Sequence, residues 1–203
     1  MTKYSKSIQK AIQVFKAHGG IMRTKTVLEE GVHGSVLYSM KKEGIVEKLS
    51  WGLYYLVDSP PGDYPDLVKV SMKAPNSVIA LISALAFHEI TTQIPHDVYI
   101  SIERNTRKPK LEYPPIKVII NSQESYSAGI ETYEINKVRI RVFSAEKTIV
   151  DCFKYRNKIG LDTAIESLKL YKERKKVNIK KLIEYARICR IEKVMLPYLQ
   201  AIL

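Results

Sequence analysis

Gly34 and Ser35, in the stretch GVHGSVLYS, have the letters of the Gly-Ser pair seen in nucleotidyltransferases. That chemistry also needs paired aspartates to carry magnesium, and none follow them. A restriction-type nuclease needs a carboxylate and a Glu-x-Lys on adjacent strands. Glu173-Arg174-Lys175 has the letters, but it sits in the run KLYKERKK, which belongs to a solvated helix end. The two cysteines, Cys152 and Cys189, and the four histidines have no metal-ligand spacing. There is no glycine-rich phosphate loop and no recognisable Ser/His/Asp set. His88 has no histidine near it in sequence and is expected to be a hydrogen-bonded structural residue. The chain is therefore expected not to be an enzyme and to take neither metal nor cofactor.

The remaining chemistry is that of binding a polyanion. The 203 residues carry a net charge of +12, unevenly spread. Residues 1–62 contribute +4, residues 63–150 only +1, and residues 151–203 contribute +7. Two basic ends around a neutral middle favour nucleic acid as a partner. No apolar run approaches the ~20 residues of a membrane span. The start, MTKYSKSIQK, has no apolar signal core, and two distant cysteines suit reduced thiols. A cytoplasmic protein without a membrane partner is expected.

The elements that would carry such a surface are legible in the first sixty residues. Ile8, Ala11, Ile12 and Phe15 form an amphipathic stripe, closed by His18-Gly19-Gly20. Thr24 is a plausible cap for a second helix with Val27 and Leu28 inward, ended by Gly31. A third helix is expected from Gly34 to about Glu43. At ~100° per residue, Val36, Leu37 and Met40 share one arc. Gly34, Ser35, Tyr38, Lys41 and Lys42 share the other, a small, hydroxyl-bearing and basic face suited to phosphates and base edges. IVEKL and LYYLV then alternate as strands around Ser50-Trp51-Gly52, a hairpin signal. Helix, glycine turn, helix and hairpin follow each other as in a winged helix-turn-helix. Lys48, Ser50 and Trp51 would lie near the wing tip, and Arg23 and Lys25 at the second helix add to the expected DNA-binding set. The sole tryptophan either folds back as a cover or contacts nucleic acid.

DSPPGDYPD, residues 58–66, marks a boundary. Domains are expected over 1–62 (winged helix-turn-helix) and 63–203 (mixed α+β, with a small sheet and several C-terminal helices). In the second, a buried helix is expected over Ala80–His88 and strands over Asp97–Glu103 and Ile116–Asn121. A hairpin should turn at Asn136-Lys137. Ser144 caps AEKTIVDCFKYR, inside which Lys147 and Asp151 stand at i,i+4. Helices follow on Leu161, Ala164, Ile165 and Leu168, and on Ile179, Leu182, Ile183 and Ala186, and Pro197 opens a last turn. Lys169, Lys172, Arg174, Lys175, Lys176, Lys180 and Lys181 form a basic patch, either a solvated face or a polyanion contact.

WGLYYLVDSP, VIALISALAFHEI with VYISIERNTRKP, and VRIRVFSAEKTIVDCFKYRNKIGLDTAIESLKLY together resemble the AbiEi antitoxin family of bacterial type IV toxin–antitoxin systems, the AbiE phage-exclusion systems. The likeness covers nearly the whole chain, and Ser144, Glu146, Lys147, Thr148 and Asp151 are its most specific part. It implies a winged helix that binds inverted repeats in double-stranded DNA at its own promoter. It also implies a C-terminal domain that neutralises a cognate nucleotidyltransferase-like toxin without a stable complex. Two positions depart from the family. Trp51 stands where relatives often have a basic residue, and Lys147 replaces the commoner arginine, so that a bidentate pairing there would be lost. Two other classes stay open. One is a solitary winged-helix regulator with a ligand- or partner-sensing second domain; the other is a nuclease or nucleotidyltransferase-like enzyme.

Overall fold

The structure, a computed structural model, describes residues 4–58, 64–135 and 138–203, with the backbone alone at Leu49 and Ser50. It is mixed α+β, with eleven helices and two sheets among the described residues. The chain divides into two compact units, Met1–Lys69 with Glu134–Val138, and Val70–Tyr133 with Arg139–Leu203. Residues 59–63 of the expected linker, and the Asn136-Lys137 turn, lie outside the described residues.

In the first unit, α1 (Lys6–Ala17) buries Ile8, Ala11 and Phe15, and the Ser5 hydroxyl caps it by accepting from the Ile8 amide. β1 (Ile21–Arg23), α2 (Thr24–Glu29), α3 (Gly34–Lys42), β2 (Val46–Ser50) and β3 (Leu53–Leu56) follow. The sheet has the order β1-β3-β2 and is antiparallel throughout, with Met22 opposite Tyr54 and Val46 opposite Leu56. Phe15, Met22, Val27, Leu37, Met40 and Leu56 meet in one core.

Two expectations need correction here, and one strand was not expected. β1 has no signature in the sequence, because three residues between Gly20 and Thr24 are too few to show a period. Thr24 is not a cap but the first helical residue. Arg23 holds the cap position without a side-chain capping bond, and the Thr24 amide donates instead to Gly52 O at 2.8 Å. Leu28 does not face inward: in so short a helix Val27 alone is buried, and Leu28 is 50% exposed.

α4 (Pro65–Lys73) leads into the second unit. There β4 (Val78–Ile79), α5 (Leu81–Phe87), β5 (Val98–Glu103), β6 (Ile116–Asn121), α6 (Gln123–Ser127), β7 (Ile130–Ile135) and β8 (Val138–Phe143) come in turn. The helices α7 (Ala145–Lys154), α8 (Arg156–Ile159), α9 (Leu161–Arg174), α10 (Ile179–Ile188) and α11 (Glu192–Ile202) complete it. The sheet runs β6-β5-β4-β8-β7. β4 is antiparallel to β5 and parallel to β8, and β5 is parallel to β6.

α7 is the axis of this unit. Ser144 caps it by accepting from the Lys147 amide, and its residues from Lys147 to Phe153 are all buried. Pro197, expected to open the last helix, lies inside α11 instead. Ile191, Met195 and Leu199, one turn apart, are buried along that stretch. Their burial outweighs the ~3 kcal/mol that an interior proline costs a helix.

Candidate nucleic-acid interface

The periodicity of α3 sets its two faces. Leu37 and Met40 are buried and Val36 is half-buried, which anchors one side. Gly34, Ser35, Tyr38, Lys41 and Lys42 are exposed, and Tyr38 retains 70% of its accessible surface. Sequence reasoning missed the residue that starts this helix. His33 is its N-cap: the imidazole Nδ1 accepts from the Ser35 amide at 3.4 Å and lies 2.9 Å from the Ser35 hydroxyl. Histidine is not among the usual capping residues, so only the geometry reveals it. The cap holds Ser35 at the start of the exposed face, where the backbone amides of a helix end favour an anion.

The strand pair extends the basic surface. Lys48 is exposed on β2, and the chain turns at Trp51 and Gly52. A register irregularity between Lys48 and Ser50 bulges the strand just before the turn, and the side chain of Ser50 lies outside the described residues. Trp51 does not fold back as a cover. It is 93% exposed, and its ring lies 5.4 Å from Lys48 Nζ, within cation–π range. Glu47, the carboxylate beside Lys48, is held by the hydroxyl of its cross-strand partner Tyr55. That bond pushes the Tyr55 phenol above its ordinary range. Arg23 is exposed at the end of β1, and Lys25 is paired with Glu29 one helical turn on at 3.8 Å, both exposed. Such a pair contributes little, so Lys25 is available to a stronger anion.

In the second unit the run from Lys169 to Lys181 is not one uniform patch. Lys172 Nζ donates to Ile202 O at 2.6 Å and Arg174 Nη1 to Glu89 O at 2.8 Å, so both tie α9 to neighbouring backbone. Lys169, Lys175, Lys176, Lys180 and Lys181 are exposed and make no ion pair among the described residues.

In the Ser144-to-Asp151 motif, Ser144, Lys147, Thr148 and Asp151 are buried and Glu146 is half-buried. Lys147 and Asp151 have fully buried side chains, joined Nζ to Oδ2 at 2.6 Å, and the ammonium lies 4.3 Å from the Phe143 ring centroid. Lysine makes one bond where arginine could make two. The other carboxylate oxygen receives the Cys189 thiol at 3.6 Å, and Cys189 in turn lies 3.4 Å from the Ser125 hydroxyl. Among the described residues no buried side-chain nitrogen or oxygen lacks a partner. Burial pushes both thiols up, Cys152 well above its ordinary value, and the Asp151 charge adds to this. Gly129 completes the packing. With φ at +68° its Cα lies so near Lys147 that a Cβ would stand 2.7 Å from the Lys147 Cβ. These residues pack into the interior of the unit.

No family model matches the chain, and no curated protein does. Among solved structures it is similar to the RV2827C protein from Mycobacterium tuberculosis, with a TM-score of 0.63 over 98% of this chain and 78% of that one. Identity is 10%, so the likeness is one of fold. No helix among the described residues is long and apolar enough to cross a membrane.

Proposed function

We propose that the chain is a DNA-binding transcriptional autorepressor whose first unit is a winged helix-turn-helix, and that it doubles as an antitoxin. The observation that carries the DNA-binding part is the exposed face of α3, where Ser35, Tyr38, Lys41 and Lys42 stand clear of the core while Leu37 and Met40 are buried. In this reading α3 lies in the major groove, its lysines neutralise phosphates, and Tyr38 and Ser35 reach base edges. Lys48 and Trp51, at an exposed turn of the sheet, act as the wing. The antitoxin part is supported by the resemblance to AbiEi proteins in the sequence, which assigns neutralisation of a nucleotidyltransferase-like toxin to the second unit without a stable complex. The proposal gives the chain no reaction of its own.

The test has two arms. Duplex DNA from upstream of the chain's own gene should be retarded by the protein in a gel-shift assay, and scrambled duplex should be retarded less. Co-expression with the neighbouring gene should relieve that gene's toxicity. Operator binding without relief would leave a solitary regulator. That second reading is favoured by a cleft in the second unit.

A further inference from the structure

The cleft opens in the second unit at the end of the β4–β5 strand pair, with a volume of about 360 Å³. That is the lower end of the ~300–1,000 Å³ typical of small-molecule sites. One wall is the last residue of α4 and the turn after it, Lys73 to Ser77. The other is the loop following β5, Thr106 to Lys110, together with Ile102. Hydrogen bonds anchor the base of each wall. Ser77 donates to Ala74 O from its amide at 2.9 Å and its hydroxyl at 2.7 Å, closing the turn. Asn76 O accepts from the Tyr126 hydroxyl and from Arg141 Nη1, the latter at 3.3 Å. Across the cleft, the Arg104 amide donates to Asn121 O at 2.8 Å and the Thr106 amide to Glu103 O at 3.1 Å, which roots the loop on the sheet.

Lys73, Arg107, Lys108 and Lys110 all line the cleft, and no carboxylate does. The four make no ion pair among the described residues. Four like charges around one small volume repel one another, and an anion among them gains from each. One phosphate monoester carries about −1.5 to −2 at neutral pH, so two or more linked phosphates are needed to match them. A nucleic-acid strand instead spreads its charges singly, about 3.4 Å apart along each strand of the axis. The remaining lining joins the polar Asn76, Ser77 and Thr106 to the apolar Ala74, Pro75, Ile102 and Pro109, and the apolar part suits the body of a ligand rather than its charge.

We propose that this cleft binds a nucleoside di- or triphosphate, its phosphates among Lys73, Arg107, Lys108 and Lys110 and its nucleoside against Pro75, Ile102 and Pro109. The cleft shares no residue with the α3 face, so this proposal and the operator reading fail separately. Isothermal titration of the full chain with ATP, GTP and inorganic tripolyphosphate tests it, with a single-stranded oligonucleotide lacking terminal phosphates as competitor. The expected result is saturable binding of ATP or GTP at one site, tighter than tripolyphosphate. Arg107→Ala/Lys108→Ala should weaken it by about tenfold or more, since each loses a charged hydrogen bond. The melting temperature should be unchanged, because both residues are exposed on a loop. No saturable binding, or binding unaltered in the double variant, would overturn the site. Tripolyphosphate binding as tightly as the nucleotides, or full displacement by the oligonucleotide at equal phosphate concentration, would overturn the nucleotide assignment.

Discussion

At His88 the imidazole Nε2 lies 2.7 Å from Phe143 O, in surroundings that leave the residue 9% exposed. Burial lowers its pKa below the ordinary 6.5, and the backbone bond to Phe143 only partly opposes this. A histidine depressed in the folded state is protonated more readily when unfolded. Its contribution to stability is therefore full above pH 6.5 and is lost as the pH falls below that toward the folded value. The urea midpoint should fall between about pH 7.5 and pH 5.5, and His88→Gln, which keeps an amide donor, should fall less. Equal slopes for the two proteins would count against it. The Lys147–Asp151 pair makes a second prediction. Lys147→Met or Asp151→Leu alone strands a buried charge and should cost about 3–5 kcal/mol in urea denaturation. The double variant Lys147→Met/Asp151→Leu should cost clearly less than the sum, and strict additivity would show that the two charges do not depend on each other.

For the elements, α3 gives the sharpest expectation. Lys41→Ala/Lys42→Ala should weaken binding to upstream DNA and lower the slope of log K against log salt by about 0.9 for each phosphate no longer neutralised. Circular dichroism should not change, since both side chains are exposed. An unaltered slope in an anisotropy titration removes α3 from the interface. This face is legible in the sequence because an amphipathic helix writes its burial into a 3.6-residue period. The Ser144 cap and the i,i+4 spacing of Lys147 and Asp151 are legible for the same local reason. β1 and β4, of three and two residues, carry no period and exist only because longer strands pair with them. The Cys189 thiol on Asp151, the tethers of Lys172 and Arg174, and the cleft between α4 and the loop after β5 join residues far apart in sequence, and nothing in the local pattern announces them. Pro197 misleads for the opposite reason, as a strong local signal overruled by burial.

Over the whole molecule the two basic ends need not do the same work. If the +7 of residues 151–203 serves DNA, reversing Lys169, Lys175 and Lys176 to Glu should weaken operator binding several-fold and leave relief of toxicity intact. Loss of relief at unchanged operator affinity assigns the surface to neutralisation, and no effect on either makes it a solvated face. These three positions are better choices than Lys172 or Arg174, whose bonds to Ile202 O and Glu89 O would confound the result with stability. The turn of the first sheet has a consequence of another kind. Trp51 is the only tryptophan in the chain and is 93% exposed, so the protein carries one indole fluorophore, immersed in water. Its emission should be red-shifted and open to acrylamide quenching when the protein is free. On adding upstream duplex, the intensity should drop and the indole should become shielded from acrylamide. The chain thus reports on its own binding without a label, and emission that stays constant through a saturating titration would set this turn apart from the DNA.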